Sequence, residues 1–300
     1  MNKIQQEFKA WLGPVPFLSL ALLTVIALVF FFSSGGGIKL VDERVEAEAE
    51  SLDERVMPSE GIALPIQWNA LGLRLTESGS IDKEKFMKLY EGRGGISEAD
   101  LELIESSANG EIIMTRENSG LILNLLWAFG LANENPVLEE GPMANPNYGG
   151  AGGFASTGGW TLAYGDPMDH YSAHAFVRLS SEQQALVENT AKGIFRPCCG
   201  NSTHFPDCNH GMAMLGLLEL LAKEGLSEDE VYDIALKVNS YWFPETYMTL
   251  ASYFDSKGVK WANVDAKTVL GYDYSSGAGY SRILAEMDPV EIEGGGGCSA

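Results

Sequence analysis

The spacing of apolar residues predicts helices over most of the chain. Between Val231 and Val238 the apolar residues recur three and four positions apart, as they do on one face of an amphipathic helix. The stretch His210–Glu224 is almost continuously apolar, which predicts a central helix that is buried on most sides. Alternation of the kind that strands show is scarce, and no repeat of fixed period is visible. The sequence therefore predicts a mainly α domain over residues 59–293.

Helix start and stop signals divide this domain into elements. Ser97, Ser180 and Ser227 are each placed to cap a first helical turn, because a serine hydroxyl accepts a hydrogen bond from a backbone N–H that has no partner within the helix. Pro244 interrupts the helix that follows Ser227, since proline has no N–H. The predicted helical segments are Asp82–Tyr90, a segment after Ser97, Thr115–Ala132, a segment after Ser180, His210–Glu224, a segment after Ser227, a continuation from Leu250 to Phe254, and two short helices near Asp265 and Ser281.

An apolar segment near the N-terminus differs from the rest of the chain. No charged residue occurs from Ala10 to Ile38, and a helix over 11–33 would be long enough to cross a membrane. Two lysines precede this segment and acidic residues crowd positions 42–50, so the positive-inside rule places residues 1–10 in the cytoplasm. We therefore expect a single-pass protein of the cell membrane, with an acidic linker over 34–58 and an extracytoplasmic domain. A cleaved signal peptide is the alternative.

Composition limits the classes of partner. The 300 residues include 20 Lys and Arg against 41 Asp and Glu, which gives a net charge of −21 at pH 7. A nucleic-acid-binding protein needs a basic face that contacts phosphates, so we expect no nucleic acid as a partner. Hydrophobic residues make up 45% of the chain, which is enough for a folded core and excludes a disordered or collagen-like protein.

A glycine- and aromatic-rich loop interrupts the helical pattern over 141–165. It holds eight glycines in 25 residues, interleaved with Tyr148, Phe154 and Trp160. A loop of this length within a compact domain is usually a lid or a binding loop. The run 150–155 matches a dinucleotide fingerprint only loosely, without a strand before it or a helix after it, so we do not expect nucleotide binding.

Histidine and cysteine, which bind soft or borderline metal ions, are concentrated in one stretch of the chain. All four histidines and three of the four cysteines lie within 170–210. Gly200 and Pro206 are expected to turn the chain and return its end toward the adjacent cysteine pair. Three thiolates with one imidazole suit either copper(I) or zinc. The predicted primary metal ligands are Cys198, Cys199, Cys208 and His210, and the secondary candidates are His204, His170 and His174.

Two further features bear on this metal hypothesis. His170 and His174 are four positions apart, so a helix over 169–176 would present both imidazoles on one face. Thioethers bind copper(I), but Met212 and Met214 also suit the core of the buried helix. The metal hypothesis predicts capture, sensing or delivery of an ion, with a protein partner for metal or thiol exchange.

The same residues allow two other functions. In an oxidising compartment Cys208 could form a structural disulfide with either Cys198 or Cys199. In a thiol-dependent redox enzyme or hydrolase, Cys199 or Cys208 would be the reactive thiol and His170 or His174 the general base. Spacing alone does not decide between these functions.

The fourth cysteine lies apart from this cluster. Cys298 occupies a glycine-rich tail over 294–300. We expect a flexible terminus there, and the alternative is a mobile thiol that visits the cluster to pass on an ion or resolve a disulfide.

The order of residues around the cysteines resembles one known motif. Arg196–Gly200 reads Arg-Pro-Cys-Cys-Gly, and His204–Cys208 reads His-Phe-Pro-Asp-Cys. This order is similar to the signature of a family of bacterial extracytoplasmic proteins that carry the motif Pro-Cys-Tyr-Cys-Gly-Cys. The tyrosine between the first two cysteines and the cysteine after the glycine are absent here. The resemblance is confined to this segment and implies an extracytoplasmic protein.

Overall fold

The computed structural model describes residues 51–107 and 111–287, and this part of the chain is mainly helical, as the sequence predicts. The helices are α1 (Leu52–Val56), α2 (Leu71–Glu77), α3 (Lys83–Glu91), α4 (Glu98–Glu105), α5 (Ser119–Ala132), α6 (Pro136–Glu139), α7 (Ser181–Gly193), α8 (Asn209–Glu224), α9 (Glu228–Trp242), α10 (Pro244–Ser256), α11 (Ala266–Val269), α12 (Tyr272–Ser275) and α13 (Gly277–Leu284). Two short strands, β1 (Ile62–Leu64) and β2 (Ile112–Met114), pair antiparallel.

Several predictions concern residues outside the described ranges. They are the cytoplasmic N-terminus (1–10), the membrane span (11–33), most of the acidic linker (34–58) and the tail with Cys298 (294–300). Among the described residues, no helix combines the length and the apolar character that crossing a bilayer requires.

Serine caps begin helices where the sequence predicts them. Ser180 and Ser227 each form a full capping box, in which the hydroxyl accepts from the N–H three residues on and that residue's side chain accepts from the serine N–H. The Ser97 hydroxyl accepts from the Asp100 N–H at the start of α4. Pro244 lies in the first turn of α10 and separates it from α9.

The centre of the fold is the pair formed by α5 and α8. Residues 121–132 of α5 and 210–222 of α8 are all buried. A β-carbon on Gly130 would lie 2.3 Å from a carbonyl oxygen of α8, and one on Gly216 would lie 2.6 Å from a carbonyl oxygen of α5. The two backbones approach this closely because neither glycine has a side chain. The start of α8, which carries part of the predicted site, is therefore anchored in the core.

The end of the predicted acidic linker is folded rather than solvated. Residues 52–56 form α1, and Val56 and Met57 at its end are only 3% and 2% exposed. An ion pair of 3.2 Å joins Arg55 to Asp255 of α10. The folded region therefore begins before the predicted boundary at residue 59. The many acidic residues of this segment made it resemble a solvated linker, although the apolar side chains at the end of α1 are buried.

The glycine- and aromatic-rich loop is organised as a series of short 3-10 turns. Trp160 is buried, and its indole N–H donates to the Ser80 carbonyl oxygen at 2.8 Å. The Trp127 ring of α5 packs against the Trp160 ring with centroids 4.7 Å apart. The Ser156 N–H donates to the Asp207 carbonyl oxygen at 3.2 Å. The loop is thus fixed to the core on one side and to the cysteine-rich segment on the other.

Candidate metal centre

A short hairpin brings the cysteines together. Beyond α7, Phe195 pairs with Ser202 in an isolated antiparallel bridge. The Thr203 N–H donates to the Ile194 carbonyl oxygen at 2.8 Å, which closes the loop between them. The chain then enters α8 with Cys208 at the N-cap position. This geometry confirms the predicted return of the chain.

Three sulfur atoms lie close together, two from the loop of this hairpin and one from the start of α8. Cys198 Sγ lies 3.6 Å from Cys208 Sγ, and Cys199 Sγ lies 3.9 Å from an Asp207 carboxylate oxygen. All three cysteines are free thiols. Cys198, Cys208 and His210 form one group of potential ligand atoms within 4.8 Å of one another, and Cys199, Asp207 and Cys208 form a second. These five residues, called the cysteine cluster below, lie close enough to hold a metal ion.

The His210 ring is oriented by its neighbour. Asn209 Oδ1 lies 2.9 Å from the His210 backbone N–H and 2.9 Å from the ring Nδ1. The Asn209 oxygen can only accept hydrogen bonds from these two nitrogens, so Nδ1 carries the ring proton. Nε2 then keeps a lone pair that can bind a metal ion. The ring is buried, with the Phe243 ring centroid 4.3 Å away, and this burial lowers the pKa of His210 to about 4. The imidazole is therefore neutral, which is the form that binds metals.

A buried arginine organises the hairpin around Cys208. The Arg196 side chain is only 2% exposed. Its Nε donates to Cys208 Sγ at 2.9 Å, and Nη2 donates to an Asp207 carboxylate oxygen at 2.6 Å. The remaining bonds, each 3.1 Å, run from Nη1 to the Asn201 carbonyl oxygen and from Nη2 to the Phe205 carbonyl oxygen. One guanidinium thus fixes the loop and places a positive charge beside the sulfurs.

The three thiols differ in their tendency to ionise. Hydrogen bonds from the Cys198 and Cys199 thiols, together with the charge of Arg196, hold the pKa of Cys208 well below its usual range. The contacts that Cys198 makes with Cys199 and Cys208 raise the pKa of Cys198. The cluster therefore carries one thiolate, at the N-terminus of α8, where the helix dipole also favours negative charge.

His170 and His174 pair with each other and belong to neither group of ligand atoms in the cysteine cluster. His170 Nδ1 lies 3.1 Å from His174 Nε2, and His170 Nε2 lies 3.1 Å from the Tyr164 carbonyl oxygen. The condition considered for these two histidines, a helix over 169–176, is not met, because the chain forms a 3-10 turn at Pro167–Asp169 and then continues without helical structure. Burial, with a contribution from His170, lowers the pKa of His174.

His204 also lies outside both groups of ligand atoms in the cysteine cluster. It lines a separate cleft of about 580 Å³, together with Glu139 and Glu140. Burial lowers the pKa of His204, and the nearby Lys192 lowers it further. Of the seven predicted ligands, the structure therefore brings together the four primary ones and leaves the three secondary ones elsewhere.

Two residues of this centre were not predicted as site residues. Asp207 was not among the predicted ligands, yet its carboxylate joins the second group of ligand atoms. Arg196 directly precedes Pro197 and Cys198. Basic residues are scarce in this acidic chain, and a basic residue next to the cysteines is the signal that could have identified it. Met212 and Met214 are buried in α8, which agrees with their interpretation as core residues.

The relationship of this chain to other proteins adds no assignment. No protein-family model, curated protein or solved structure matches it. The chemistry of the cysteine cluster therefore carries the functional argument. Thiolate and imidazole ligands are typical of soft or borderline ions, whereas hard ions such as Ca²⁺ and Mg²⁺ take oxygen ligands.

Proposed function

We propose that this protein binds a soft or borderline metal ion, copper(I) or zinc, at the cysteine cluster. The observation that carries the proposal is the sharing of Cys208 by two groups of potential ligand atoms, each within 4.8 Å. Cys198, Cys208 and His210 supply two sulfurs and one nitrogen, and Cys199 and Asp207 adjoin them. Such a donor set suits trigonal copper(I) or tetrahedral zinc.

Exchange of the ion is favoured over a purely structural role. The Cys198 residue is exposed, so an ion or a partner protein can approach the cluster from solvent. Arg196 holds the hairpin through four hydrogen bonds of its own. A loop that keeps its shape without help from an ion can load and unload that ion without unfolding, which suits capture, sensing or delivery.

The proposed location is the outer face of a cell membrane. The charge-free stretch from Ala10 to Ile38 supports an N-terminal anchor, and the acidic residues that follow it support an outward orientation of the domain. In this setting a partner protein would supply or accept the ion.

Metal content measured on the purified full chain tests the proposal. Protein prepared under reducing conditions without oxygen should retain about one equivalent of copper(I) or zinc, and Cys208→Ser should lose it, since Cys208 belongs to both groups of ligand atoms. Cys298→Ser is the matched control, because it removes a thiol from the tail and should leave the metal content unchanged. His170→Ala and His204→Ala should also retain the ion.

Equal metal content in the Cys208→Ser variant and in the unmodified chain would contradict the proposal. Circular dichroism on each variant separates loss of ligand from loss of fold. A variant that keeps its helical spectrum but loses its ion identifies Cys208 as a ligand.

A further inference from the structure

The sulfur atoms of Cys198 and Cys208 are placed for a reaction as well as for binding. They lie 3.6 Å apart in the reduced protein. A disulfide bond is about 2.0 Å long, so the two sulfurs must approach each other by about 1.6 Å to form one. Ten positions separate them along the chain, but the hairpin has already closed this loop. The bond therefore joins two parts of the chain that the fold already holds together.

Cys199 lies beside this pair, with its Sγ within 4.8 Å of Cys208 Sγ, and it also contacts two oxygen atoms. Its Sγ lies 3.9 Å from the Asn201 carbonyl oxygen and 3.9 Å from an Asp207 carboxylate oxygen. Cys208 Sγ, by contrast, accepts a hydrogen bond from Arg196 Nε at 2.9 Å. The sequence left open which of the adjacent cysteines would pair with Cys208. The 3.6 Å distance between the Cys198 and Cys208 sulfurs and the exposure of Cys198 favour Cys198.

We propose that Cys198 and Cys208 form a redox pair that exchanges with low-molecular-weight or protein disulfides, with Cys199 remaining a free thiol. The Cys198 sulfur is the accessible entry point. The Cys198 thiol passes its proton to the Cys208 thiolate 3.6 Å away, and the Cys198 sulfur attacks one sulfur of an external disulfide. A mixed disulfide forms, and one external thiolate leaves and takes the proton from Cys208 through solvent. The Cys208 thiolate then attacks Cys198 Sγ, which forms the internal disulfide and releases the second external thiolate.

This exchange is balanced in atoms and electrons. The Cys198 thiol and the Cys208 thiolate are oxidised to one disulfide, and the external disulfide is reduced to two thiols, which take up the Cys198 proton and one proton from solvent. The reverse reaction needs an external dithiol as reductant. Arg196 keeps Cys208 Sγ in place for the second attack through its 2.9 Å hydrogen bond.

The exchange would regulate the proposed metal site, and that consequence rests on the proposed function. Cys198 and Cys208 are two of the three members of the first group of ligand atoms. Once their sulfurs are joined, neither is a thiolate, and the affinity for a soft ion falls. The cluster is then either reduced and able to bind metal, or oxidised and empty.

The test uses the full chain with Cys298→Ser, so that only the three cluster thiols can react. Reduced, metal-free protein is incubated with glutathione disulfide without oxygen, alkylated, and mapped by peptide mass spectrometry. The expected product has a bridge between Cys198 and Cys208 and an alkylated Cys199. Adding Cys199→Ser should leave the bridge intact, whereas adding Cys198→Ser should leave Cys208 without an internal partner.

Denaturant supplies the control for selectivity. In concentrated urea Cys198 and Cys199 should compete almost equally for Cys208, because the two loops differ by one residue and cost nearly the same entropy to close. Selective pairing in buffer and mixed pairing in urea would show that the fold chooses Cys198. Alkylation of all three thiols in buffer, or a bridge that includes Cys199, would overturn the proposal.

A second arm separates this inference from the metal proposal. Protein loaded with zinc is treated with glutathione disulfide, and released zinc is followed with a chromophoric chelator. Release of the bound zinc in step with bridge formation is expected, and Cys198→Ser should release none by this route. A bridge in protein that never binds metal would refute the metal function alone, whereas stable metal binding without any bridge would refute the redox pair alone.

Discussion

Arg196 and Arg282 each contact an aspartate carboxylate, at 2.6 and 2.7 Å, but in different surroundings. The Arg196 side chain is 2% exposed, and its partner Asp207 is 21% exposed. Arg282 and its partner Asp273 are 59% and 77% exposed. The two ion pairs therefore contribute differently to stability, because water screens the Arg282–Asp273 pair more than the Arg196–Asp207 pair.

Replacement of these two arginines by methionine tests that difference. Arg196→Met should lower the free energy of unfolding by about 3–5 kcal/mol, because it removes the cationic partner of the Asp207 carboxylate and the donor to two backbone carbonyl oxygens. Arg282→Met should change it by no more than about 1 kcal/mol. Urea unfolding of both variants provides the measurement, and equal losses would show that burial of Arg196 does not matter to stability.

At the scale of elements, the packing of α5 on α8 depends on close backbone approach. Gly130→Ala should destabilise the protein by about 1–3 kcal/mol, because its new methyl group would meet a carbonyl oxygen of α8 at 2.3 Å. Gly120→Ala lies in the same helix and meets no atom within 4 Å. It should therefore stabilise α5 by up to about 1 kcal/mol through helix propensity alone. Thermal unfolding of the two variants should shift in opposite directions, and parallel shifts would contradict the packing argument.

The elements that could be predicted from sequence are those with local causes. The capping boxes at Ser180 and Ser227 involve four consecutive residues each, and they mark helix starts correctly. Strands β1 and β2 escaped prediction because three residues are too short for alternation to be visible, and their pairing joins segments about fifty positions apart. Helix α1 escaped because its stability comes from contact with α10 rather than from its own sequence.

The candidate site also has residues that could be predicted from the sequence and residues that could not. The cysteines and His210 were predicted together because one short hairpin closes around them, so nearness in sequence becomes nearness in space. The relation of His170 to this cluster depends on how distant segments pack, which spacing does not encode. His170 instead faces His174 and the Tyr164 carbonyl oxygen. Arg196 was missed because its role rests on burial and on four simultaneous contacts.

For the molecule as a whole, a carboxyl group in the core makes stability depend on pH. Glu219 of α8 is fully buried, and its Oε2 accepts from Asn133 Nδ2 at 2.5 Å. Burial raises the pKa of Glu219 to about 8. The folded protein therefore keeps this proton between about pH 4.5 and 8, whereas the unfolded chain has released it. Stability should fall as pH rises through this window, by about 1.4 kcal/mol per pH unit from this group.

Glu219→Gln removes the titrating group while keeping its shape and an acceptor for Asn133. We expect the variant to resemble the unmodified protein near pH 5 and to be more stable than it near pH 8. Urea unfolding at several pH values measures both profiles, with Glu228→Gln at an exposed position as the control that should leave the slope unchanged. A variant whose stability keeps the original slope would exclude Glu219 as its source.

The position of Cys208 connects the candidate metal site with the stability of the whole domain. This residue belongs to both groups of potential ligand atoms and also occupies the N-cap position of α8, the helix at the centre of the fold. Free energy gained by coordination at its sulfur is lost when that helix melts, so an ion that binds only the native form raises the melting temperature of the entire domain. The melting temperature of the domain therefore measures the fraction of the protein that has bound the ion.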